Sequence, residues 1–223
     1  ILGGLGYIVW WDVLRVIKSR SPKNRKIFRH LTLHSKIAIT VTAGLILVGA
    51  ILILIFEYAN PLTIGEMSLF DKIQVSFFQS VTTRTAGFAS VPQENLTNAS
   101  AAVSITLMLI GGSPVGTAGG MKTVTVAVLI CSAFATIRNK NSASLFGRRI
   151  SEGSVKKAVA VTVTFLTICA ASTVLLMATS NTSAMDAVYE TVSATATVGL
   201  SRNLTATLNT FGKLIIIVTM YFG

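Results

Sequence analysis

Two stretches of this chain place threonine and glycine together inside apolar surroundings: "SVTTRTAGFAS" from Ser80 to Ser90, and "SATATVGLS" from Ser193 to Ser201. Neither brings an acid, a base or a nucleophile into a pair that covalent chemistry would use. What they offer is oxygen. Glycine accepts positive φ, which lets successive carbonyls face one axis, and threonine adds a hydroxyl. Such rings of backbone oxygens replace the water shell of an alkali cation. The plain alternative is a glycine-containing helix C-cap followed by an ordinary loop.

The two stretches are related. At an offset of 112 residues Gly87 falls on Gly199, Phe77 on Tyr189, Thr83 on Thr195, Thr85 on Thr197 and Phe88 on Leu200. Matching flanks argue for an internal repeat, and a repeat argues against two chance helix caps.

The surroundings are those of a membrane protein. Hydrophobic residues make up 52% of the chain and charged residues 12%, with a mean hydropathy of +0.69, outside the soluble range. Ile37 to Phe56 runs 20 residues without a charge, about 30 Å as a helix and enough to cross a bilayer. Ala158 to Ala178 is a second such run. The net charge of +11 does not point to nucleic acid: 14 of the 19 Lys and Arg lie in Arg15–Lys36 and Arg138–Lys157, and no aromatic interleaves them in the pattern of an RNA-binding surface. Both segments flank apolar runs and are expected on the cytoplasmic side of the cell membrane. The acid-containing segments Glu57–Glu94 and Asp186–Arg202 are expected outside.

Between the spanning runs lie shorter pieces. Ser68 to Thr83 is amphipathic and, at about 24 Å as a helix, too short to span, so it should dip into the membrane and return. Asp186 to Thr195 holds the same place before the second stretch. The apolar run Ala99–Ile110 stops at "GGSPVGTAGGMK", Gly111 to Lys122, and resumes to Ile137. Five glycines and a proline cannot continue a helix. The expected organisation is an all-α membrane protein of helix, re-entrant pore loop and broken second helix. Its parts are the inner half of a preceding helix (1–17), a basic linker (18–36), a complete repeat (37–137), a basic linker (138–157) and a further repeat (158–223), which reads as a portion of a longer chain.

Several sharper readings fail on spacing. "GTAGGMKT" resembles a phosphate-binding loop, but Met121 separates Gly120 from Lys122 and no strand precedes it. His30 and His34 have helical metal-ligand spacing without a third ligand near them in sequence. Cys131 and Cys169 sit alone within apolar runs. No enzyme is indicated.

The order of elements, with "TTRTAGF", "TATVGLS" and the interrupted helix "GGSPVGTAGGMKT", resembles the Trk/Ktr/HKT superfamily of potassium transporters over essentially the whole chain. The resemblance implies four repeats around one pore in the full-length protein, passing K+ through a backbone-carbonyl filter without a cofactor, with Na+ as an activating or coupled ion. It implies that Thr85, Ala86, Gly87 and Phe88 form one wall of the filter and Thr197, Val198, Gly199 and Leu200 another. The gating loop would be Gly111 to Lys122, including Gly111, Gly112, Ser113, Pro114, Gly116, Gly119, Gly120 and Lys122. It also implies a homodimer on a cytosolic nucleotide-binding ring of the KtrA/TrkA type.

Arg84, beside the first stretch, is expected either to hold the filter geometry by pairing with Glu190 or Asp186, or to snorkel to the outer surface. A rival reading is a secondary transporter of another class with a midplane site. Many such transporters carry inverted repeats, whereas both copies here place their basic residues on the same side.

Overall fold

The computed structural model describes residues 3–18, 27–114, 118–140 and 143–223. After a short 3-10 turn, Gly3–Leu5, the helices in chain order are α1 (Tyr7–Lys18), α2 (Ile27–His30), α3 (Leu33–Glu57), α4 (Leu69–Thr82), α5 (Asn98–Leu109) and α6 (Thr123–Ile137). They continue as α7 (Glu152–Thr179), α8 (Ala184–Thr195), α9 (Leu204–Thr207) and α10 (Thr210–Phe222). The expected all-α architecture holds. One hairpin departs from it: β1 (Ser144–Leu145) pairs with β2 (Arg148–Arg149) inside the segment read as a plain basic linker. Its two-residue turn has positive φ at Phe146 (51°) and Gly147 (76°), the handedness that lets a tight hairpin close.

Among the described residues two helices, α3 and α7, have the length and composition to cross a bilayer. In their most apolar 18-residue windows only 22% and 17% of residues are buried within the chain. A soluble core helix would be covered; these turn their apolar sides outward, as a lipid-facing helix does.

The re-entrant helices begin with the same device. Ser68 caps α4, accepting from the Asp71 amide at 3.3 Å and donating to the Asp71 carboxylate at 2.7 Å. Ser183 caps α8 through Asp186 in the same way, at 3.1 and 2.6 Å. Each Ser-x-x-Asp satisfies an otherwise unpaired helix N-terminus. Threonine and asparagine do the equivalent work at α3 (Thr32), α5 (Thr97) and α10 (Asn209).

Hydroxyls seat the helices on one another: Ser80 of α4 donates to the Ile46 carbonyl of α3 at 2.9 Å, and Thr219 of α10 to Ser172 of α7 at 2.8 Å. Two buried carboxylates join elements far apart in sequence. Asp12 of α1 accepts from the amide and hydroxyl of Thr32, both at 2.8 Å. Glu57, at the end of α3 and 1% exposed, accepts from Asn60 (2.7 Å), Thr63 (2.6 Å) and both the amide (2.9 Å) and hydroxyl (2.8 Å) of Thr97. Glu57 therefore fixes the start of α5 against the end of α3.

Replacing Glu57 by Ala leaves these donors without an acceptor in a buried place, where each unsatisfied group costs about 1–3 kcal/mol. Glu57→Ala in the full-length protein is expected to destabilise it by at least about 2 kcal/mol, with Glu57→Gln milder. Thermal unfolding in detergent measures both, and an unchanged midpoint for Glu57→Ala would remove this residue from the account of the fold.

Candidate functional site

Both Thr-x-Gly stretches follow the C-terminal ends of α4 and α8. The backbone there is unusual in a repeated way. Thr85 and Gly87 have φ of 66° and 77°, and Thr197 and Gly199 have 53° and 89°, so the left-handed positions coincide at the 112-residue offset. Ala86 and Val198 between them are not left-handed. Positive φ is easy for glycine, whereas a β-branched threonine there is a true outlier, held at a cost of about 1–3 kcal/mol. Alternating handedness turns each peptide plane, keeping carbonyls on one side where an extended strand would alternate them.

The chain holds these turns from behind. The Thr82 carbonyl accepts from the amides of Ala86 (3.1 Å) and Gly87 (3.2 Å). The Thr82 hydroxyl donates to the Phe88 carbonyl at 2.6 Å and accepts from its amide at 2.8 Å. In the second turn the Val198 amide donates to Ser193 O at 2.9 Å, and Val198 and Leu200 are buried against Tyr189 and Ala101. The front of each turn is open. Among the described residues no hydrogen bond ends on the carbonyls of Thr85, Ala86 or Gly87, nor on those of Thr197, Val198 or Gly199.

The two turns meet. A methyl group placed on Gly87 would run into the Val198 carbonyl oxygen, and one on Gly199 would stand 4.0 Å from Gly87 Cα. The turns are further tied by polar links around them. Gln79 and Gln93 exchange amide hydrogen bonds at 2.6 and 3.2 Å, and Tyr189 of α8 donates to Gln93 at 3.0 Å.

Arg84, Glu190 and Asp186, expected to support the first turn, are placed differently from that expectation. Arg84 pairs with neither Glu190 nor Asp186, and it does not snorkel: it is only 9% exposed. Its guanidinium donates to Gly111 O at 2.9 Å and to Thr42 O at 3.3 Å. Asp186 pairs instead with Arg202 at 2.8 Å, and Arg202 reaches back to Leu96 O and Glu94 O at 3.4 and 3.3 Å. Glu190 accepts from Ser201 at 3.0 Å and from Thr205, holding the segment just beyond the second turn. These acids thus lie behind the second turn, and Arg84 joins the first to the break after α5.

That break leaves the helical path as its composition requires. Ile110 and Met121 form a parallel bridge, closed by the Met121 amide on Leu109 O at 3.2 Å. The Ser113 amide donates to Gly4 O at 2.7 Å, and its hydroxyl lies 3.2 Å from that of Thr123. Lys122 donates to Ala118 O within the loop itself. The returning limb passes close to the second turn, since a methyl on Gly119 would meet the Thr197 hydroxyl and the Ala196 carbonyl. Pro114, Gly112 and Gly120 are described parts of the loop; Gly116 lies outside the described residues.

The sequence and the fold resemble those of known proteins. The whole chain, residues 1–223, matches the family model TrkH, cation transport protein. It is 38% identical over 223 residues to the Ktr system potassium uptake protein B of Bacillus subtilis, covering 100% of this chain and 48% of that protein. The potassium/sodium uptake protein NtpJ of Enterococcus hirae is 38% identical over 227 residues, with the same coverage. The chain thus spans about half the length of these relatives. The crystal structure of the potassium transporter TrkH from Vibrio parahaemolyticus superposes with a TM-score of 0.78 at 17% identity, over 100% of this chain and 47% of that one. A full-length family match, relatives at this identity and a shared fold lead to one conclusion: the chain belongs to the TrkH family of cation transport proteins.

Proposed function

We propose that the chain supplies two of the walls of a potassium-selective pore in a membrane uptake system. The observation that carries this is the pair of facing turns whose six carbonyls have no donor. At membrane depth an unpaired carbonyl costs several kcal/mol, so such backbone persists only where something uses it. A dehydrated alkali cation does, with the negative C-terminal ends of α4 and α8 aimed at it. Thr85–Phe88 and Thr197–Leu200 are the two walls. The relatives' names support potassium as the ion, and that of NtpJ supports sodium as a second one. The basic segments 15–36 and 138–157 face the cytoplasm, where a nucleotide-binding ring docks under a homodimer.

In this reading the loop from Gly111 to Lys122 gates. It is rooted on Arg84 beside the first wall, and its return lies against the second. It is also an addition to a shorter plan: helix restarts at Tyr7 after Gly3-Gly4, but only at Thr123 after the matching Gly111-Gly112. Its described ends thus lie beside the two walls.

Gly87→Ser and Gly199→Ser in the full-length protein should both lower K+ over Na+ discrimination, by about tenfold for about 1–2 kcal/mol of left-handed strain. Gly87 should be the worse, because its new side chain also meets Val198 O. Competition uptake in cells lacking their own potassium systems reads the ratio, and unchanged discrimination in both variants rejects the filter.

Deleting Ser113 to Gly119 should raise K+ flux while sparing selectivity, and Arg84→Gln should shift flux the same way to a smaller extent. Because both act on one loop, their combination should be non-additive in a double-mutant cycle. A well-folded deletion variant with unaltered flux and unaltered response to its regulator would reject the gate.

A further inference from the structure

We propose that the groove between the end of α6 and the start of α7 binds an anionic phospholipid, phosphate inward. This rests on the membrane placement given above, not on the filter. The groove encloses about 610 Å³, lined by Lys140, Arg149 and Lys156, with Glu152 its acidic residue. Three cations against one carboxylate leave an excess of positive charge, and none of the three takes part in an ion pair among the described residues. Ser151 and Glu152 also line it, so the positive end of a 28-residue helix adds to the same field.

Depth and direction favour a lipid over a free anion. As a helix of 28 residues, α7 is about 42 Å long, roughly 12 Å more than the hydrocarbon layer. Its charged first turns therefore stand at headgroup level, where basic pockets between spanning helices take anionic headgroups. At about 100° per residue, Lys156, Val163, Ala170 and Val174 fall on one stripe. The last three belong to an exposed apolar strip further along α7's own surface, with Val163 57% and Val174 66% exposed. Basic pocket and apolar strip thus follow one helix face in the order of phosphate and acyl chain. Free phosphate would fill the first and leave the second unused. Basic residues that only set insertion direction need no pocket.

The test uses the full-length protein in detergent, titrated with phosphatidylglycerol or phosphatidylcholine, with bound lipid counted by native mass spectrometry. Each cation near an anionic partner contributes about a fivefold factor, so K140Q/K156Q should bind phosphatidylglycerol about 25-fold more weakly. The charge-conserving K140R/K156R should retain binding, and phosphatidylcholine should bind all three weakly and equally. Both lysines are exposed, so the substitutions leave the fold in place. Undiminished phosphatidylglycerol binding by K140Q/K156Q overturns the site. Displacement of the lipid by an equal concentration of inorganic phosphate assigns the pocket to a free anion and overturns the lipid. Crosslinking of V163C between two copies in membranes, covering the stripe with protein, overturns it too. Binding is read without transport, so failure here leaves the potassium reading standing, and loss of uptake with lipid binding intact bears on that reading alone.

Discussion

Everything in this fold depends on what becomes of backbone carbonyls that have no water to turn to. A continuous helix satisfies its own; a helix that stops halfway through the membrane does not. α4 and α8 are too short to span, and each is followed by a turn that leaves its carbonyls open in front while the bonds it makes lie behind. The surrounding polar residues follow from that choice. The Thr82 hydroxyl, the Gln79–Gln93 pair, Tyr189, Glu190 and Arg202 all support the backs of the turns or the segments just beyond them. None spends a hydrogen bond on the front.

The repeat is copied in outline and altered in detail. Arg84 and Ala196 occupy matching positions at the 112-residue offset, but one is a buried cation and the other a methyl in a packed core. Both touch the same glycine-rich loop: Arg84 through the Gly111 carbonyl, Ala196 through the close passage of Gly119. The same position donates in one copy and only packs in the other. The loop is thereby held between two non-identical partners, and the two turns need not respond alike when it moves.

Much of the helical plan was legible in the sequence because it rests on local signals. Unbroken apolar length marked α3 and α7, short amphipathic length and the repeat marked α4 and α8, and the glycine cluster marked the break after α5. The turns were legible from their glycines, but their strained threonines were not, since nothing in a lone Thr announces positive φ. Asp12 and Glu57 went unnoticed because their partners, Thr32 and Thr97, lie 20 and 40 residues away. The assignment of Arg84 to Glu190 or Asp186 failed for a related reason. Sequence shows acids and bases but not carbonyls, and a buried guanidinium beside a helix break finds carbonyls first. The hairpin at Ser144–Arg149 was hidden by the basic residues that made its surroundings look like an open linker.

The strained threonines carry a thermodynamic consequence. Thr85 and Thr197 hold a conformation their side chains disfavour, and the carbonyls they present are unsatisfied on their own. If a cation completes them, it is a ligand of the folded state alone, and the turns are stabilised by mass action in proportion to the logarithm of its free concentration. The selectivity element would then be a sensor of its own cargo. In potassium-rich surroundings its geometry would be held, and in potassium-poor ones the strain would be left uncompensated, so that permeation and local folding would become two readings of a single equilibrium.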